Sequence, residues 1–170
     1  MSEPAIELGD ALAWCAFAVA EDPLRRSPRA LRARLSALSD RHAGARRTRE
    51  IPAAYIARYG AESAAALTRD RLLHGGYRSR GVLPDALAIA AADTDVGVWA
   101  LDAARVTGAP RLAGRTIVDD AGELAPLFAE PDSVTRATRR LILYAVRAPG
   151  VPDLAVVEAL HAAWDAAVTA

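Results

Sequence analysis

The chain has 170 residues, 52% of them hydrophobic, and its 21 basic and 21 acidic side chains cancel to a formal charge of zero. That length suits one domain with a single core, and that balance of apolar content and charge excludes intrinsic disorder. Lysine, asparagine and glutamine are absent, so any anion site must use guanidinium forks or backbone N–H groups.

The first apolar run, Leu12 to Ala20, is a strand or a short buried helix, because periodicity does not separate the two. It is broken by Asp10 and Glu21 and is too short to span a bilayer. No basic segment precedes it, so a secretion signal is not expected and a cytoplasmic protein is. Cys15, the single cysteine, excludes an internal disulfide and any multi-cysteine metal site, and reads as a small buried hydrophobe.

Ser27-Pro28 has the form of an N-cap followed by proline at the first helical position. Leu31, Leu35 and Leu38 then share one helical face. Nine arginines lie between Arg25 and Arg49 against one acid, Asp40. This block is a phosphate- or RNA-facing surface, or else a solvated helix face followed by the loop RHAGARRTR. No aromatic residue is interleaved with the arginines, as base stacking would want.

Helices are expected over Ile51–Tyr59, Glu62–Leu73 and Pro84–Ala92, the first stopped by Gly60, the second by Gly75-Gly76 and the third by Asp93-Thr94-Asp95. Val96–Leu101 is a strand candidate. Arg115–Asp119 and Leu124–Phe128 flank a turn at Asp120-Ala121-Gly122-Glu123. Leu141–Val146 is a continuous apolar run of strand length, as in a strand buried on both faces. Asp153 is expected to cap a last helix whose apolar face carries Leu154, Val157, Leu160, Trp164 and Val168. That face offers a surface for a possible homodimer.

His42, His74 and His161 lie far apart without metal-ligand spacing. The chain has no GxGxxG, Walker-type loop or GxSxG elbow, which argues against nucleotide cofactors and serine hydrolase chemistry. Neither a cofactor nor a metal is expected.

The segment GGYRSRGVLPDALAIAAADTDVGVWALD, from Gly75 to Asp102, is the most informative in the chain. Together with TIVDDAGELAPLF, SVTRATRRLILYAV and GVPDLAVVEAL, it resembles the editing domain of the phenylalanyl-tRNA synthetase β subunit, over residues 64–165. The resemblance implies a single α+β domain over residues 1–170, with a mixed sheet packed by helices, a strand at Leu12–Ala20 and a pocket shaped for an aromatic amino acid. In that family an Asn, a His and a Glu line the site that hydrolyses mischarged tRNA. The matching positions here are Ala88, Trp99 and Tyr144, so the polar trio is missing and two aromatic surfaces stand in its place. Ester hydrolysis needs a positioned water and stabilisation of an oxyanion, to which Ala88 and Trp99 contribute little.

The candidate site residues follow from this placement. Trp99, Tyr144 and Phe128 would meet an aromatic ring. Arg78 and Arg80, in the loop before the Pro84 helix, offer two-point forks for a carboxylate. His74 borders the same loop, although a helix C-terminus explains an imidazole there equally well. Glu130, beside Phe128 where the family has a pocket-bordering glycine-rich loop, and Asp85, in the first turn of its helix, are the candidate catalytic acid–base groups. His161 borders the apolar side of the last helix.

The leading expectation is a cofactor-independent enzyme that binds a free aromatic amino acid. It would condense the amine with a keto acid or aldehyde and close the ring in a Pictet–Spengler-type cyclisation. Two alternatives stand beside it: a trans-acting hydrolase of mischarged aminoacyl-tRNA or tRNA-binding protein using the arginine block, and a non-catalytic binding module.

Overall fold

In the computed structural model, residues 3–42, 50–61, 63, 68, 71–72, 74 and 78–170 are described. Two strands, β1 (Ile6–Leu8) and β2 (Leu12–Ala18), open the chain and are followed by helices α1 (Arg29–His42), α2 (Glu50–Tyr59) and α3 (Val82–Thr94). Then come β3 (Trp99–Asp102), a 3-10 turn (Ala103–Arg105), β4 (Arg111–Ala113), β5 (Thr116–Val118), β6 (Glu123–Pro126), β7 (Arg140–Val146) and α4 (Asp153–Val168). The expected helix over Glu62–Leu73 and most of the loop RHAGARRTR fall largely outside the described residues.

The main sheet has the order β1-β2-β7-β3, and β4-β5-β6 form a second, three-stranded sheet. Every pairing is antiparallel. The expected mixed sheet is therefore corrected to two antiparallel sheets in an α+β domain. An apolar run reports burial, not direction, and direction here is set by connections that bring both β2 and β3 against β7 in the opposite sense. The run itself was read correctly: Leu141 to Val146 are all buried, as a central strand covered on both faces requires.

Register fixes which side chains share a face. Trp14, Tyr144 and Trp99 stand side by side across β2, β7 and β3. The opposite parity brings Cys15, Leu143 and Ala100 into line. Cys15 is fully buried. Its burial pushes the thiol up from 9.0 to about 11, against a smaller lowering from a backbone hydrogen bond at Leu143.

Alanine governs the helix packing. In α4 the buried stripe is Val156, Ala159, Leu160, Ala163, Ala166 and Ala167, whereas Leu154 is two-thirds exposed. This corrects the expected face, which was drawn through the bulky residues. Small side chains let α4 approach the equally alanine-rich α3 closely, and α4 also packs on β7 and β2. A larger side chain at Ala159 or Ala163 would force these layers apart, at a cost of about 1–3 kcal/mol. Of the expected face, Leu160 is buried and Val157, Trp164 and Val168 are half-buried. On α1, Leu31, Leu35 and Leu38 are buried as expected and pack with Val82, Ala86 and Ile89 of α3.

Two expected caps are corrected. Ser27 does not cap α1; its hydroxyl donates to Asp85 at 2.5 Å. Asp153 lies inside α4 after Pro152, and its carboxylate accepts from the Arg147 guanidinium at 2.7 Å. The start of α3 is set by backbone contact instead. Val82 N–H donates to the Arg25 carbonyl at 3.0 Å, and Leu83 N–H to that of Pro23 at 2.9 Å. Gly81, at φ 118, lies so close that a Cβ there would come within 2.9 Å of the Leu24 carbonyl oxygen. Among the described residues no helix is long and apolar enough to cross a membrane.

Candidate ligand cavity

A cavity of about 430 Å³ opens between α3, the start of β3 and the loop that follows β6. Its apolar wall includes Leu83, Leu87, Val98, Trp99 and Phe128, and its polar rim includes Arg80 and Glu130. The elements explain the placement. β3 is an edge strand of the main sheet, so its first residue, Trp99, is buried yet borders open space, with 5% of its surface exposed. The loop after β6 folds back over it and delivers Phe128 and Glu130 together.

The aromatic residues form one connected group. Trp99 stacks on Tyr144, with centroids 5.8 Å apart and planes 20° apart. It also stacks on Phe128 at 5.7 Å and 26°. Phe128 in turn meets Tyr55 and Tyr59 edge-on, at 5.8 Å and 5.6 Å. Each such pair adds about 0.5–1.5 kcal/mol beyond the burial of its surface. The two tyrosines are themselves anchored to the end of β7: Tyr55 Oη donates to the Val146 carbonyl at 2.7 Å and Tyr59 Oη to that of Arg147 at 2.6 Å. Burial pushes the Tyr55, Tyr59 and Tyr144 phenols above their ordinary range, which keeps them neutral.

Phe128 holds this position at φ 61, the left-handed region. A bulky L-residue is disfavoured there, and such strain persists only where the surroundings enforce it. Here three aromatic contacts do so. Gly97, another cavity residue, lies directly beneath the Trp99 indole.

At the rim, Arg80 Nη1 lies 3.3 Å from Glu130 Oε2, with both side chains more than half exposed. A pair so open to water contributes little to stability, about 0–1 kcal/mol. It is therefore readily exchanged for other ionic partners, with the guanidinium presented to an anion and the carboxylate to a cation.

The sequence-derived candidates separate into four groups. Trp99, Phe128, Arg80 and Glu130 are brought together around the cavity, and Ala88 lines it as well. Tyr144 does not reach the lining; it is 1% exposed and backs the Trp99 ring. Arg78 and His74 are exposed and stand apart from the lining.

Asp85 also lies off the lining, fully buried. Its carboxylate accepts from Ser27 Oγ at 2.5 Å, Ser79 Oγ at 2.6 Å and the Arg80 backbone N–H at 3.0 Å. A carboxylate enclosed in this way positions Arg80 and secures the loop before α3; it is not presented to a substrate. The candidate catalytic Asp85 thus stands behind the cavity wall and not in its lining. His161 faces Glu3 at 3.3 Å on the opposite end of the chain.

Sequence reasoning missed Tyr55 and Tyr59, although their spacing of one helical turn on an amphipathic helix pointed to a shared buried face. It also missed Gly97, Pro131 and Val134 in the lining. In comparisons with protein families, with curated proteins and with solved structures, nothing matches this chain.

Proposed function

We propose that the chain is an enzyme that binds a free aromatic amino acid in this cavity and acts on its amine. The observation that carries the reading is the Arg80–Glu130 pair, 3.3 Å apart, at the rim of a cavity walled by Trp99 and Phe128. A zwitterionic amino acid matches the Arg80–Glu130 pair group for group, and Arg71 adds a second guanidinium to the lining. Its carboxylate takes the Arg80 fork, its ammonium replaces Arg80 beside Glu130, and its side chain enters the aromatic wall.

The same arrangement serves chemistry on nitrogen. An ammonium must lose a proton before it is nucleophilic, and Glu130 is the carboxylate placed to receive it. Condensation of the freed amine with a carbonyl compound releases water and gives an iminium, and attack by the amino acid's own ring closes a new ring. No cofactor enters this sequence. An aminoacyl ester, by contrast, carries no free carboxylate and would leave Arg80 unmatched. The arginine block also offers that alternative less than its count suggests, since Arg34 already lies 3.8 Å from Asp93 and 3.5 Å from Asp165.

The test is thermal denaturation with millimolar tryptophan, phenylalanine or tRNA. Free aromatic amino acid raises the melting temperature of the wild type, and Trp99→Ala abolishes the rise. Stabilisation by tRNA alone, lost as salt is raised, would instead establish the nucleic-acid alternative.

A further inference from the structure

Glu130 and Pro131 form a partition. On one side lies the amino-acid cavity, and on the other a second hollow of about 380 Å³. The second hollow has an apolar floor that includes Leu101, Val106, Leu124 and Pro126, with Ser133 at its side. A two-substrate condensation needs the reacting groups to meet at one acid–base residue, and Glu130 is the titratable side chain that lines both spaces. We propose that this hollow is the subsite of the carbonyl partner, and that the partner is an uncharged aldehyde with an apolar chain. The assignment rests on the amino-acid reading above and names its second substrate.

Charge selects the class. Around the hollow Arg105 stands against Glu123 and Asp132, while Glu130 already faces Arg80. A keto acid would bring its carboxylate into a space where carboxylates outnumber guanidinium groups; an aldehyde carries no charge to be repelled. The apolar floor suits an alkyl or aryl chain.

Ser133 supplies the polar contact. Its Oγ accepts the Asp102 backbone N–H at 3.0 Å, which leaves its own proton for donation. Asp102 is held in turn by Thr138 Oγ1 at 2.6 Å and by the Ala104 N–H at 3.0 Å. The hydroxyl is thus fixed in place beside the hollow to polarise a carbonyl oxygen.

The step balances without an added reagent. The amine nitrogen adds to the aldehyde carbon, and the carbonyl oxygen leaves as water. The proton taken up to form the iminium equals the proton the ring carbon gives up to Glu130 on cyclisation.

The experiment measures amino-acid affinity by calorimetry, then turnover with aldehydes and keto acids of matched chain length. Aldehydes are expected to react about tenfold or more faster. Glu123→Gln with Asp132→Asn should raise keto-acid turnover relative to aldehyde. Ser133→Ala should lower aldehyde turnover about tenfold, the loss of one hydrogen bond to a polarised oxygen, while amino-acid affinity stays unchanged. Amino-acid binding with keto acids preferred, with no turnover of either carbonyl, or with Ser133→Ala fully active, overturns the subsite alone. No amino-acid binding at all removes the functional reading and the subsite with it.

Discussion

A methyl group placed on Gly97 would meet Cη2 of the Trp99 indole at 2.6 Å. Ordinarily the far end of a side chain swings aside, but this indole is stacked with both Tyr144 and Phe128. Gly97→Ala should therefore tilt the ring and cost about 1–3 kcal/mol of stability, as overpacking does. Urea denaturation measures the cost. Ligand-induced melting shifts should show that the variant has lost its response to aromatic amino acids, whereas Gly60→Ala, which costs stability through its φ of 68 but meets no neighbouring atom, keeps that response.

Phe128 separates backbone strain from ring contacts. At φ 61 alanine pays a steric penalty that glycine does not. Both Phe128→Ala and Phe128→Gly lose the aromatic contacts, so both should be less stable than the wild type. The glycine variant should be the more stable of the two by about 1 kcal/mol. Equal denaturation midpoints for the pair would show that the segment relaxes out of the left-handed region.

Asp85 should behave as a positioning residue. Asp85→Ala strands two serine hydroxyls and the Arg80 N–H, at a cost of about 2–4 kcal/mol. Asp85→Asn keeps part of the acceptor capacity and should cost less. Hydrogen exchange at the Arg80 and Val82 amides should rise in both. If Asp85 acted chemically on the substrate, Asp85→Asn would abolish turnover while leaving those amides protected.

Cys15 gives a pH prediction. Its thiol is pushed up to about 11 by burial, so folding favours the neutral form. The stability this confers is complete below the ordinary thiol range and fades as pH rises from 9.0 toward 11. At pH below that window a thiol reagent should modify Cys15 only at the rate of unfolding. Labelling of the native protein at the rate of an exposed cysteine would contradict the burial.

Legibility followed side-chain size. Leu31, Leu35 and Leu38, the apolar run of β7 and the helix ending at Thr94 declare themselves through bulk, periodicity and turn residues. The face of α4 does not, because an alanine stripe gives almost no hydropathy contrast between its two sides. β1 and β4 are three residues each, too short for an alternation to register. The resemblance that brought Trp99, Phe128, Arg80 and Glu130 into consideration named residues that do share a cavity. It also named Asp85, which is enclosed by the neighbouring Ser79 and Arg80 and by the distant Ser27. The partner that completes the enclosure, Ser27, lies 58 residues away, and no local pattern encodes its approach.

The enclosure of Asp85 also divides the cavity mouth into unequal jaws. The Arg80 side is bolted to the segment at Ser27 and to the first turn of α3, so it cannot swing without uncapping a core helix. The opposite side, from Phe128 to Val134, is held by the ring contacts of Phe128, the exposed ion pair of Glu130 and the hydrogen bond from the Asp102 N–H to Ser133. A ligand entering the cavity would therefore meet one wall anchored to a core helix and, facing it, a wall held by side-chain contacts.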